Sequence, residues 1–536
     1  MKRILIYITC FTVTAIGCTK NFDAINTDPK KASASNFNPN LLLPSGQLGF
    51  TGAYSGNSSP SLIFSLWAQI FANAEYPSYY SNGDKYVASS NLTTYQASIW
   101  NGAYQAASYL QEAENLVADK PELSNLKNAA AIIRLLNMQL ITDVYGDAPF
   151  TQALQGKTGV SLPAYDKQQD IYTAMLSQLD GAISGLDPAQ GKLANDAFAY
   201  KGDIAQWKKF GYSLMLRMAM RLTKADAAIA QQYAEKAAAG GAMASAADDA
   251  YIPYDNADGF GNPNTGALLV AEDYREIKWG QYLINLLKTT NDPRLGLISE
   301  VPQPGLTNAA AQNPFLDGNS IPAAQLGMPN GYDQNGGATD ISHAPGYPGA
   351  SGTGNDANVT GNYSRPKSTV FMDRSAPVFI MTYGETELLF AEAAARGWNV
   401  GGSAAAHYAK GVSGILQSYA KFNASATIDA GTADAFAAAH PLDVSSLDAS
   451  LKQINEQIWA GTGTLFNFTE AWMNWRRSGY PALVPVNYNG NFSGGVVPRR
   501  EAYPLSEGTL NGANYKAAVS SLSGGDLFSS RVWWDK

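Results

Sequence analysis

The feature that most constrains the fold is a set of apolar residues recurring at helical spacing in paired runs. Leu126, Ala129, Ala130, Ile133, Leu136, Leu140 and Val144 fall on one helix face, and Gly146 with Pro149 ends the run. Ile171, Met175, Leu179, Ile183 and Leu186 form its partner, closed by Asp187-Pro188. A second pair sets Trp207, Phe210, Leu214, Met218 and Leu222 against Ala227, Ala230, Ala234, Ala237 and Ala238, whose small side chains permit close approach of two helix axes. Two more pairs are drawn from Tyr383–Arg396 with Ala404–Tyr419, and from Leu447–Trp459 with Leu465–Arg477. Helical hairpins of roughly 30–45 residues have the period of tetratricopeptide-like units. The consensus residues of a free-standing array are missing, so the pattern predicts an irregular stack. The expected class is mainly α, an α-α superhelix with four tetratricopeptide-like helix pairs over about 125–186, 207–239, 383–419 and 447–477.

Two stretches break this pattern. Helical runs at about 45–73 and 95–118 flank a polar, tyrosine-rich interval from Glu75 to Thr94, and a long region of about 251–377 is rich in Gly, Asn, Pro and Asp. Only Trp279–Lys288 reads as helix in the latter. A structureless stretch of that length is normally functional or disordered. Both stretches carry rings: Tyr76, Tyr79, Tyr80 and Tyr86 in the first, and Trp279, Tyr282, Tyr332, Tyr347 and Tyr363 in the second. Rings on loops can stack on sugar faces or peptide side chains while neighbouring amides bond hydroxyls. They are the candidate ligand-binding residues, although any one ring taken singly more often fills a core.

The chain opens Met1-Lys2-Arg3, runs through the apolar stretch Ile4–Ile16 and reaches Gly17-Cys18 before turning polar, which is the order of an export signal. An apolar run of about 13 residues is too short to span a bilayer, which takes roughly 20. Ala15-Ile16-Gly17-Cys18 is a lipobox in all but its first position, where Ala15 replaces the usual Leu, so Cys18 is the expected lipidation site. The expected organisation is a signal peptide over 1–17, a lipidated N-terminus and extended tether over 18–40, and a single body over 41–536.

A formal charge of −8 argues against nucleic acid, whose binders need basic patches, and makes a neutral ligand easier to accept. Catalysis by familiar routes is poorly supplied. The three histidines, His343, His407 and His440, are isolated, so no zinc helix or two-histidine ligand pair exists. Gly156-Lys157-Thr158 imitates the end of a phosphate loop, but Thr151 stands where its first glycine belongs. Glu385, Glu387 and Glu392 are the candidates for a glycosidase's paired carboxylates, with a structural role beside Arg396 as the competing reading. No metal site or cofactor is expected. Asp333–Asp340 and Asp356 supply oxygen ligands without EF-hand spacing, leaving calcium open.

Several stretches in their order resemble the SusD/RagB family of nutrient-binding outer-membrane lipoproteins, and the likeness runs through nearly the whole chain. They are Phe22-Asp23-Ala24-Ile25-Asn26-Thr27-Asp28-Pro29, Asp143-Val144-Tyr145-Gly146-Asp147-Ala148-Pro149-Phe150, Trp207-Lys208-Lys209-Phe210 leading to Leu216-Arg217 and Arg221, and Asp292-Pro293-Arg294. Glu385–Gly397, Trp475-Arg476-Arg477-Ser478-Gly479-Tyr480-Pro481, Pro498-Arg499-Arg500 with Tyr503-Pro504, and Val532-Trp533-Trp534-Asp535 follow. Tyr212 departs from the Asn common in relatives. The resemblance implies a mainly α body with a loop-rich, irregular ligand-binding side, and motifs that serve mainly as scaffold. It further implies capture of oligosaccharides or peptides and delivery to a SusC-like TonB-dependent transporter, with membrane attachment through the lipid anchor. A surface glycoside hydrolase and a helical-repeat interaction scaffold are the alternatives.

Overall fold

The computed structural model describes residues 37–536, apart from 56–60, 76–80, 90, 258, 270, 304 and 306–317. Among the described residues the chain is mainly helical, with short strands only. The helix pairs are Ser124–Tyr145 with Gln168–Ser184, Ile204–Arg221 with Ala227–Gly240, Tyr383–Ala395 with Ala404–Ser418, and Leu447–Thr464 with Phe468–Ser478. Leu92–Leu116 packs on the first helix of the first pair, and Leu42–Tyr54 packs on Leu92–Leu116, so the helical packing extends N-terminal to the first pair.

Local chemistry fixes the helix ends. The carboxylate of Asp203 accepts from the amides of Ala205 and Gln206, and the side chains of Asp226, Thr382, Ser403, Ser446 and Asn467 each accept an amide in the following first turn. Gly146 and Gly479 close helices at positive φ. The third pair meets at glycines, where a Cβ on Gly384 would stand 2.4 Å from the Ile415 nitrogen.

Several charges inside the stack are paired. Arg217 forms two 2.7 Å bonds to Glu385, Arg221 bridges Glu470 and Asp143, Arg294 pairs with Asp292, and Arg499 with Asp535. Arg476 lies between the rings of Trp472 and Trp534, 4.3 and 4.5 Å from their centroids. Apart from Glu470 and Trp472, these residues belong to the stretches that carry the family resemblance, and all are buried.

The structure corrects two expectations. The run expected as helix over 45–73 divides into Leu42–Tyr54, Ser61–Trp67 and a strand, Phe71–Asn73. That strand pairs antiparallel with Ile277–Trp279, Phe71 opposite Trp279, so Trp279 lies in a strand and the helix starts at Gln281. The described residues of the region over 251–377 are also more ordered than their composition suggests. It holds further short helices and a three-stranded sheet of Gly318–Asn319, Ser299–Pro302 and Arg365–Pro366. Short apolar segments read alike as strand or buried helix, and long-range pairing decides between them. No helix among the described residues is long and apolar enough to cross a membrane.

Candidate functional site

Three segments meet beside the N-terminus of the Gln281–Thr289 helix and enclose a cavity of about 510 Å3. Gln281, Tyr282 and Asn285 come from the helix, Asn330, Tyr332 and Thr339 from the following loop, and Val484, Val486, Asn487 and Tyr488 from a loop near the C-terminus. Gln69 closes the fourth side.

Backbone fit places these walls. The Gly280 amide donates to the Ile70 carbonyl at 2.8 Å and the Gln281 amide to Met328 at 2.9 Å, fixing the helix start. A Cβ on Gly280 would lie 2.2 Å from the Gln69 carbonyl oxygen, so only glycine passes there. Gly331 has φ +86°, and a Cβ on it would stand 2.5 Å from Val486. Asn330 donates to the Phe71 carbonyl at 2.8 Å, and Gln69 to that of Val484 at 2.6 Å. The Tyr488 hydroxyl donates to Asp333 at 2.5 Å, tying two walls together. Beneath them the Gly331 amide donates to Asp84, which pairs with Lys85 at 2.9 Å, both side chains fully buried. Burial pushes the Asp84 carboxyl above the usual carboxylate range, against the pull of Lys85. The cavity is thus built before any ligand arrives, and its volume lies within the ~300–1,000 Å3 typical of small-ligand sites.

Of the residues singled out from the sequence, Tyr282 and Tyr332 line this cavity together, both partly exposed. Trp279 does not. It is fully buried, its indole N–H donates to the Ile298 carbonyl at 3.2 Å, and its ring packs on Phe71, Phe371 and Phe466. Tyr86 is likewise fully buried, beside Gln69 and the Val486 backbone. Tyr347 is 9% exposed and spends its hydroxyl on Asp356 at 2.8 Å, in a satellite core with Tyr363. All three rings therefore offer little or no face for a ligand. Tyr76, Tyr79, Tyr80 and Cys18 lie outside the described residues. The sequence reading missed Tyr488 and Asn487, although Asn487-Tyr488-Asn489-Gly490 has the same mixture of ring, amide and glycine as the region it did single out.

The candidate acids serve the scaffold. Glu385 is held by Arg217, Glu387 bonds His407 Nδ1 at 2.6 Å, and Glu392 is clasped by Arg477 and Arg396; none lines the cavity. The aspartates considered for calcium accept from protein donors: Asp340 from the amides of Ser342 and Gly336, Asp333 from Asn335 and Thr339, Asp356 from Ala350 and Tyr347. No cluster of three metal-ligating side chains occurs among the described residues. A larger depression of about 890 Å3 lies on the helix-pair side, and its charged rim is self-paired, Arg134 with Glu114 and Lys157 with Glu112.

A stack of helix pairs with a preformed, ring-walled cavity on its looped side defines a helical-repeat binding protein. The chain belongs to the SusD-like family: the family model described as starch-binding and associating with the outer membrane matches residues 47–504. Among solved structures, a chitin-binding protein is similar at 28% identity and TM-score 0.76, with 93% of this chain and 100% of that one covered. A SusD-like protein from Bacteroides thetaiotaomicron shares the fold at 24% identity and TM-score 0.70, covering 93% and 99%. A chitin-binding SusD homolog from Flavobacterium johnsoniae does so at 21% and 0.69, covering 92% and 99%. No curated protein matches the chain.

Proposed function

We propose that the protein is a non-catalytic lipoprotein of the outer-membrane surface that captures an oligosaccharide in the cavity between Tyr282 and Tyr332 and delivers it to a SusC-like TonB-dependent transporter. The observation that carries this reading is the cavity itself, where tyrosine rings stand among the side-chain amides of Gln69, Gln281, Asn285, Asn330 and Asn487. Rings stack on the apolar faces of sugars, and amides both donate to and accept from hydroxyls. Likeness to a chitin-binding protein across the whole of that chain supports carbohydrate over peptide.

Changing Tyr282 and Tyr332 together to Ala is expected to weaken binding of N-acetylchitotetraose or maltotetraose about 10- to 100-fold, at ~0.5–1.5 kcal/mol per ring contact. Calorimetry measures the loss, and an unchanged melting temperature shows that the fold survives. Undiminished affinity in a folded double variant removes the site from this cavity.

Anchoring is a separate part of the proposal, resting on the lipobox at Cys18 and the polar sequence that follows it. Cys18→Ala is expected to move the protein from the membrane fraction to the soluble fraction while sugar binding in solution persists; retention at the membrane refutes lipidation there.

A further inference from the structure

The walls of the cavity carry no Lys, Arg, His, Asp or Glu among the described residues. Two carboxylates accept from hydroxyls of its tyrosines. Tyr282 donates its hydroxyl proton to Glu456 Oε1 at 2.7 Å, and Tyr488 donates to Asp333 Oδ2 at 2.5 Å. The Tyr282 ring meets Trp459 edge-on at 5.7 Å, and Trp459 lies three residues beyond Glu456 on the same helix, so one helix face orients both ring and hydroxyl.

We propose that Tyr282 and Glu456 act together as a selector for hydrogen-bond donors, so that the cavity takes uncharged glycans rich in hydroxyl or amide N–H groups and rejects uronate or sulfated ones. This rests on the cavity being the glycan site. A phenol has one proton and acceptor lone pairs. With the proton committed to a carboxylate in a charge-assisted bond, the stronger kind, the Tyr282 oxygen meets the ligand as an acceptor. Burial and the Glu456 bond both raise the phenol above its ordinary range, which keeps that proton in place. A sugar hydroxyl or acetamido N–H completes the chain of bonds. A ligand carboxylate brings no donor, and it meets two fixed negative charges with no cation on the walls to balance them.

Calorimetry on the full protein, with three probes of equal length, tests this: N-acetylchitotetraose, maltotetraose and tetragalacturonate. At least one neutral probe is expected to bind, and tetragalacturonate at least ~10-fold more weakly. Glu456→Gln removes the charge and lets the amide donate to the phenol oxygen, releasing the phenol proton toward the ligand. It is expected to narrow the gap at least ~3-fold by improving uronate binding. Tyr282→Phe keeps the ring and loses the acceptor, and is expected to weaken the neutral probes several-fold. Should tetragalacturonate bind as tightly as the neutral probes, or folded Glu456→Gln leave the ratio unchanged, the selector is refuted while glycan binding stands. Failure of all three probes overturns the glycan reading and the selector with it.

Discussion

Replacing Glu392 with Gln is expected to lower the unfolding free energy at neutral pH by about 3–5 kcal/mol, the usual consequence of removing one partner from a buried ion pair. Glu392 is fully buried and accepts from Arg477 at 2.7 and 2.8 Å, from Arg396 at 2.8 Å and from Asn455 at 3.0 Å. These bonds tie Tyr383–Ala395 to both helices of the last pair, since Asn455 and Arg477 stand one on each. An amide in this place accepts at one atom only and leaves the Arg477 guanidinium buried without its counter-charge. Arg477 chiefly, with Arg396, holds the Glu392 carboxyl down to about 2 despite its burial. The unfolded value is near 4.3, so the stabilisation is complete above that pH and disappears as pH falls toward 2. Denaturant titrations at pH 7 and pH 3 are therefore expected to show a smaller difference between parent and variant at the lower pH. Equal stability at pH 7 contradicts the assignment.

The second large effect has the opposite sign. Asp249 is fully buried just before the Ala250–Ile252 strand, accepting from the Tyr383 amide at 2.8 Å and the Ser418 hydroxyl at 2.7 Å. Burial pushes its carboxyl up to about 7, outweighing those two bonds and the attraction of Lys421. Below the unfolded value near 3.9 the proton is bound in both states and the group is neutral to stability. Between there and pH 7 the unfolded chain releases a proton that the fold retains, so stability declines, by roughly 4 kcal/mol over the interval at ~1.4 kcal/mol per pH unit. Asp249→Asn abolishes that decline while an amide oxygen still accepts from Tyr383. The variant is expected to be the more stable protein at pH 8, with the advantage shrinking toward pH 4. A difference that does not vary with pH contradicts this account.

Glu392 lies in a helix pair that could be read from the sequence, because a helix buries one face and repeats its apolar residues every three to four positions whatever it packs against; Asp249 lies outside the pairs, just before a strand. The stretches that carry the family resemblance were legible for a related reason: Arg217, Arg221, Arg294, Arg476 and Arg477 are charges enclosed in a core, and each needs a specific partner there. The site was only half legible. Tyr282 and Tyr332, singled out as rings on the irregular side, line the cavity, yet the same criterion selected Trp279, Tyr86 and Tyr347, which are buried. Ring content and loop composition do not encode exposure, since aromatics are as useful in a core as in a cavity.

The sequence by itself determined the mainly helical class, its pairing into hairpins and the acidic balance, because each is a property of neighbouring residues or of their sum. Only the tertiary structure decided which rings meet. The Phe71–Asn73 strand pairs with Ile277–Trp279, some 200 residues away, turning Trp279 into the core and leaving Tyr282 at its edge. The loop carrying Asn487 and Tyr488 then closes the cavity from the far end of the chain, through the Gln69–Val484 and Asp333–Tyr488 bonds. Contacts at such separations are set by which surfaces fit together in three dimensions, and no local periodicity records them.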